Sequence, residues 1–247
     1  MTFVAEHKSK AFGEKLVLLY SPFWIGMMII VVIRKWYETF SPNDYLLFSI
    51  GLALPCLALP LIMADSEEKR IPLFQRYAVK ANVYILIVGY LGNYFYTHYF
   101  YKVLGVKYTG PVAPGVGIDL NGVPLLRSSF TEGSIAQAAA LTVFVLAAAF
   151  AIAFAETWTI SGFPYYTYPS FYGMLTRGSM FYGTFFVVTF PLFSRLDEDT
   201  KNLWSMRRVV GEALAAMMLV IIAADLWRLA LVRYDGLHTN SVVIPND

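Results

Sequence analysis

Six stretches of this chain are apolar for long enough to cross a bilayer, at about residues 16–33, 45–64, 78–101, 135–155, 171–193 and 209–232. That alone leaves few folds open. A bilayer core takes about 20 apolar residues of helix, and no water is available there to satisfy an open sheet edge. The pattern predicts an all-α, polytopic transmembrane helix bundle of about six spans in one domain, residues 1–247, with five or seven spans as the alternatives. Composition agrees, since 57% of residues are apolar and 15% charged, against about 25% charged in soluble domains. Pro22, Pro55, Pro60 and Pro191 fall inside the windows. Each should kink its helix and free a carbonyl that a neighbouring helix must satisfy.

The remaining composition removes several functions. A net charge of +2 is too small to suggest nucleic acid as a partner. The lone Cys56 allows no intrachain disulfide and no cysteine metal site. His7, His98 and His238 have no ligand spacing, so no metal is expected. The N-terminal stretch MTFVAEHKSKAFGEK is polar, and no cleavable signal peptide is expected from it. No nucleotide loop or haem pattern is present, and the last window lacks the lysine that a retinal protein needs. The expectation is a redox-neutral protein that uses no cofactor.

Charge should set the orientation, but six spans leave it undecided, with seven Lys and Arg outside the spans on one side and nine on the other. One further crossing within 102–134 would change this. Lys8, Lys10, Lys15, Lys69, Arg70, Arg76, Arg195, Lys201, Arg207 and Arg208 would then share a side, against Arg34, Lys35 and Arg233 opposite. The segment GPVAPGVGIDLNGVPLL is too rich in Gly and Pro to span as a helix. Either it re-enters, or the chain has lost a helix.

Polar groups inside apolar windows mark a site or a structural pair. Tyr90, Tyr94, Thr97, His98 and Tyr101 follow at steps of 4, 3, 1 and 3 residues, one stripe of a regular helix that we expect to face the interior. An interfacial belt is the plainer reading. Asn82, Gly89 and Asn93 form a neighbouring stripe suited to close helix packing. Glu156 ends the run LTVFVLAAAFAIAFA. It is either a solvated cap or, facing the bundle, a carboxyl held neutral as a general acid requires. Arg177, well inside the fifth window, needs a partner or snorkels. Asp225 and Arg228 read as an internal ion pair one turn apart. Asp197, Glu198 and Asp199 beside Arg195 read as a solvated loop.

Several strings taken together resemble one known family: YSPFW (Tyr20 to Trp24), RYAVKAN (Arg76 to Asn82), NYFYTHYFYKVLG (Asn93 to Gly105), ETWTISGFPYY (Glu156 to Tyr166), FSRLDE (Phe193 to Glu198) and DLWRL (Asp225 to Leu229). They look like the cycloeucalenol cycloisomerases, the cyclopropyl sterol isomerases, in order from about residue 12 to residue 230. The resemblance implies opening of the 9β,19-cyclopropane ring of a sterol to an 8-ene with a carbon-19 methyl group. In the family a histidine-bearing span would follow the region resembling NGVP, whereas only LLRSSFTEGSIAQAAA separates Pro124 from the next helix here.

Acid opening of that ring requires a proton donor, a base and a shield against water. Glu156 is the first candidate donor and His98 the second, or the base. Tyr94, Trp158, Tyr165 and Tyr166 offer ring faces to a cation, each worth roughly 0.5–2 kcal/mol. With Tyr90, Asn93 and Tyr101 they make up the expected substrate site. The expected partners are a sterol within the bilayer and membrane lipids, and the setting is the endoplasmic reticulum membrane of a eukaryote or the inner membrane of a bacterium. The competing reading is a non-catalytic sterol-binding or sterol-transport protein with the same aromatic interior. A structural subunit of a membrane complex leaves the polar stripe without a purpose.

Overall fold

The computed structural model describes residues 5, 7–108, 135–161 and 166–234. Helix α1, Lys8–Ile33, starts on the His7 side chain, whose Nδ1 accepts from the Lys10 amide at 3.3 Å. Helix α2, Pro42–Ile62, starts on Ser41 and Asp44, each side chain bonding the other's amide, with Pro42 in the first turn where its missing N–H costs nothing. A short α3, Ser66–Arg70, is capped by Asp65. Helix α4, Tyr77–Leu91, runs through a π-turn at Gly92–Tyr96 directly into α5, Thr97–Leu104. Gly105, at φ 67°, ends it. There a side chain would also meet the Pro169 ring.

Helix α6, Ile135–Ser161, precedes a second interrupted rod in which α7, Phe171–Gly173, a π-turn at Met174–Gly178 and α8, Ser179–Ser194, are continuous. Helix α9 is Met206–Tyr234. Two short strands, β1 at Lys107–Tyr108 and β2 at Tyr166–Thr167, pair antiparallel, Lys107 opposite Thr167. The described chain is thus an all-α bundle in which α1, α2, α6 and α9 contain segments long and apolar enough to cross a membrane. The other two expected windows are the π-interrupted rods.

Helix α8 is central and packs on α6 and α9, while α4 packs on α9 and α8. Val209, Ala213, Ala216, Met217, Val220 and Ala224 recur at helical spacing along α9 and are all buried. The alanines among them let α4 and α8 approach closely. Phe181 and Phe185 of α8 fill the centre against Tyr96, and the buried Phe186 packs edge to face on Phe185. Helices α1 and α2 pack on each other and on α4, leaving Leu19, Ile33, Leu47 and Ile62 exposed, as side chains turned towards lipid would be.

All four expected prolines lie inside helices, and one freed carbonyl finds its partner across a helix interface. Pro60 cannot donate to the Cys56 carbonyl one turn back. Asn82 of α4 does so instead, at 3.2 Å, while also bonding Ala78 of its own helix at 2.8 Å.

The chain order fixes which ends lie together. The start of α1 meets the α3 region and the α8–α9 connection through Lys8–Glu67, at 2.8 Å, and Lys10–Glu198, at 2.7 Å; this is the basic end. Helices α4 and α5 run antiparallel to α8, with Tyr84 against Phe193 and Tyr96 bonded to the Phe181 carbonyl. The β1–β2 pairing sets the ends of α5 and α6 side by side at the opposite end. Since α5 and α6 run parallel, the chain leaves β1 at one end of the bundle and enters α6 at the other. The re-entrant or missing span expected within 102–134, including the shortfall between Pro124 and Ile135, falls largely on 109–134, outside the described residues.

Candidate functional site

The expected interior stripe is present as a stripe but faces outward. Tyr90 and Tyr94 stack at 6.1 Å between centroids, and Tyr94 meets His98 at 6.0 Å. Tyr90 and Tyr94 are 65% and 55% exposed, and His98 is exposed too. The interior positions belong to Tyr84, Val88, Tyr96 and Phe100. Two physical reasons account for this. Tyr96 donates to the Phe181 carbonyl at 2.6 Å and its ring packs among Phe181, Tyr182 and Phe185, a larger apolar contact than Tyr94 makes. The π-turn adds a residue within Gly92–Tyr96, so positions beyond it, Tyr101 above all, are turned relative to those of an unbroken helix. Beyond it Tyr101 parts from the stripe and turns to Tyr166.

That turn builds the first part of the site, at the end opposite the basic one. Tyr101 Oη donates to Tyr166 Oη at 3.2 Å, the rings edge to face at 5.8 Å. Tyr166 lies in β2, outside the spans. Burial pushes its phenol up, and the hydrogen bond from Tyr101 offsets part of that. Tyr99, two residues before Tyr101, reaches the other way to α9. Its Oη donates to Asp225 Oδ1 at 2.7 Å, and Arg228 Nε donates to the same oxygen at 2.9 Å.

Glu156 is half-buried on α6 at the same end. Its neighbours Ala153 and Thr157 are buried, so it flanks the face that α6 packs on α8 and on the π-turn carrying Arg177. Trp158 is 63% exposed. Asn93 is half-buried and donates to the Gly89 carbonyl at 3.1 Å. Tyr165 lies outside the described residues. The structure therefore gathers Glu156, Tyr101 and Tyr166 at one end, and sets Tyr90, Tyr94 and His98 on the outer face of α4 and α5. Among the described residues no cluster of three or more His, Cys, Asp or Glu side chains could hold a metal ion.

Sequence spacing does not reveal two clusters. Tyr99 was hidden among neighbouring tyrosines, and the Asp225–Arg228 pair it completes read as purely internal to α9. At the basic end, Asp197 is not solvated. It is fully buried and paired with the buried Lys80, with Oδ1 accepting from the Trp204 amide at 2.8 Å and Lys80 Nζ donating to the Trp204 carbonyl at 3.1 Å. Glu198 is held by Lys10, and only Asp199 of the three acids is exposed. The available signal was a lone lysine early in an apolar window, which requires a counter-ion.

The strings that carried the family resemblance meet in these contacts: RYAVKAN and FSRLDE at Lys80–Asp197, NYFYTHYFYKVLG and DLWRL at Tyr99–Asp225, and NYFYTHYFYKVLG and ETWTISGFPYY at Tyr101–Tyr166. A curated protein of Arabidopsis thaliana, described as cycloeucalenol cycloisomerase, is 37% identical over 254 residues, covering 93% of this chain and 89% of that protein. No family model matches the chain, and no solved structure does.

Proposed function

The chain belongs to the cycloeucalenol cycloisomerase family, and from that premise we propose that it opens the 9β,19-cyclopropane ring of a sterol within the bilayer, in the endoplasmic reticulum membrane of a eukaryote or the inner membrane of a bacterium. A proton adds to carbon 19 as its bond to carbon 9 breaks, leaving a tertiary cation at carbon 9. Loss of the carbon-8 proton to a base then forms the 8,9 double bond. Atoms and electrons balance without oxidant or reductant, so the reaction needs no redox cofactor.

Glu156 is the proposed donor. The observation that carries this is its half-buried position at the end of the bundle where the Tyr101–Tyr166 pair also lies. A carboxylic acid flanked by apolar helix surface is well suited to give up a proton to carbon, and a general acid contributes typically about 10²–10⁴-fold. The outward position of His98 favours Glu156 over it. The Tyr166 ring, fixed by Tyr101, is the aromatic face best placed to stabilise the cation.

The test is incubation of washed membranes containing the protein with a cyclopropyl sterol in deuterium oxide, followed by mass spectrometry. One deuterium in the new methyl group, without added nicotinamide or metal, is the expected product. Absence of the ring-opened isomer, or strict dependence on a nicotinamide, overturns the proposal.

A further inference from the structure

The Tyr99–Asp225–Arg228 cluster contains more than an ion pair needs. Arg228 alone, one turn along α9, would satisfy Asp225 as an exposed i,i+3 pair worth a few tenths of a kcal/mol. Tyr99 nevertheless crosses from α5 to donate to the same oxygen, Oδ1. Both donors converge there, and Oδ2 has no hydrogen-bond partner among the described residues. The side chain is 49% exposed, so that second oxygen is open to a ligand. Asp225 follows Met206 by 19 residues, about 28 Å along the helix. A bilayer core is about 30 Å thick, which puts the carboxylate near the boundary opposite the basic end.

A sterol is a rigid apolar ring system with one hydroxyl, and in a bilayer that hydroxyl sits at the boundary with the rings in the hydrocarbon. A hydroxyl both donates and accepts. The open carboxylate oxygen takes its hydrogen in a charge-assisted bond, and the guanidinium beside it can donate to its oxygen. Resting on the sterol reading above, we propose that Tyr99, Asp225 and Arg228 form a subsite for the 3β-hydroxyl of a sterol held at the membrane boundary on the α5–α9 face, apart from the Glu156 and Tyr166 side. Tyr99 and Arg228 hold the carboxylate so that one oxygen stays available. The protein should therefore select the free sterol alcohol over its 3-ethers and 3-esters.

The test is equilibrium binding, which does not depend on turnover. Purified protein in nanodiscs is titrated with a radiolabelled 3β-hydroxy cyclopropyl sterol, with the 3-methyl ether of that sterol as competitor. The wild type should bind the ether more weakly by about 10- to 100-fold, the span expected for a hydrogen bond to a charged group. Asp225→Asn, which replaces the open acceptor with a donor, should weaken alcohol binding by a similar factor and leave the ether unchanged. Equal wild-type affinity for alcohol and ether overturns the subsite, as does an Asp225→Asn protein that keeps the preference. If Asp225→Asn fails to accumulate, Tyr99→Phe takes its place, with a loss of several-fold in preference expected and no loss overturning the assignment. Ring opening is assayed separately. A preference for the alcohol without turnover sinks the isomerase reading alone, and turnover without the preference sinks the subsite alone.

Discussion

Lys80 and Asp197 are both fully buried, and neither charge is tolerable there without the other. Asp197 also sits at φ 50°, a left-handed conformation that disfavours most side chains. Its bond to the Trp204 amide holds the α8–α9 connection in that shape. Removing one partner of a buried pair leaves an uncompensated charge and costs about 3–5 kcal/mol, whereas replacing both with apolar residues can be neutral. Lys80→Met is thus expected to lower thermal stability in detergent sharply, and Lys80→Met with Asp197→Asn, which removes both charges while keeping an acceptor for the Trp204 amide and a side chain suited to the left-handed backbone, to recover part of the loss. A single variant as stable as the wild type would mean the pair carries no such burden. Glu156 makes a contrasting case. Glu156→Gln keeps size and hydrogen bonding but cannot supply a carboxylic proton, so turnover should fall by about 10² or more while sterol binding persists. Near-native turnover would move the donor role to another group, with His98 next. Failure of Glu156→Gln to accumulate would make the residue structural.

At the scale of elements, regular helices were legible from sequence and irregular ones were not. Apolar runs and internal prolines located all six long rods, because burial in lipid imposes one pattern on every span. A π-turn leaves no comparable mark. Of the expected stripe Tyr90, Tyr94, Thr97, His98 and Tyr101, only Tyr90, Tyr94 and His98 share an exposed face, and which face they take depends on the competition between Tyr94 and Tyr96 for the Phe181–Phe185 surface, which lies on a helix far away in sequence. Asn82 shows the opposite case, where a polar residue read as packing glue proves to satisfy a specific carbonyl. Asn82→Leu leaves the Cys56 carbonyl without its cross-helix donor, at about 1–3 kcal/mol. Pro60→Ala restores an N–H one turn from that carbonyl. The two changes together should therefore be less destabilising than their separate effects combined, as read by thermal unfolding of the four proteins. Strict additivity would show that the Asn82–Cys56 contact contributes nothing. Gly92 has its own constraint, since a Cβ there would lie 2.8 Å from the Phe185 ring. Gly92→Leu is expected to cost about 1–3 kcal/mol through overpacking.

For the whole molecule, packing and charge give the same topology. The parallel course of α5 and α6, with β1 and β2 paired beyond them, puts the α8–α9 connection at the same end as the α2–α4 connection and the start of α1. A simple count of six alternating spans would put them at opposite ends. Lys69, Arg70 and Arg76 then share a face with Lys8, Lys10, Arg195 and Lys201, which is the ten-against-three arrangement that the positive charges favour. That face should be cytoplasmic, leaving Glu156, Tyr101–Tyr166 and the Asp225 cluster near the lumenal or periplasmic boundary. Single cysteines at Lys69, Lys201, Thr39 and Ser170, introduced after Cys56→Ser, test this in sealed vesicles with a membrane-impermeant maleimide. Lys69→Cys and Lys201→Cys should be labelled together from the cytoplasmic side, and Thr39→Cys and Ser170→Cys together from the other. Labelling of Lys69→Cys and Lys201→Cys from opposite sides would restore the even count and separate two connections that the structure joins through Lys8–Glu67 and Lys10–Glu198 at one helix start. Labelling of that pair together, but from the lumenal side, would keep the fold and invert it in the membrane, bringing the hydroxyl subsite to the cytoplasmic leaflet.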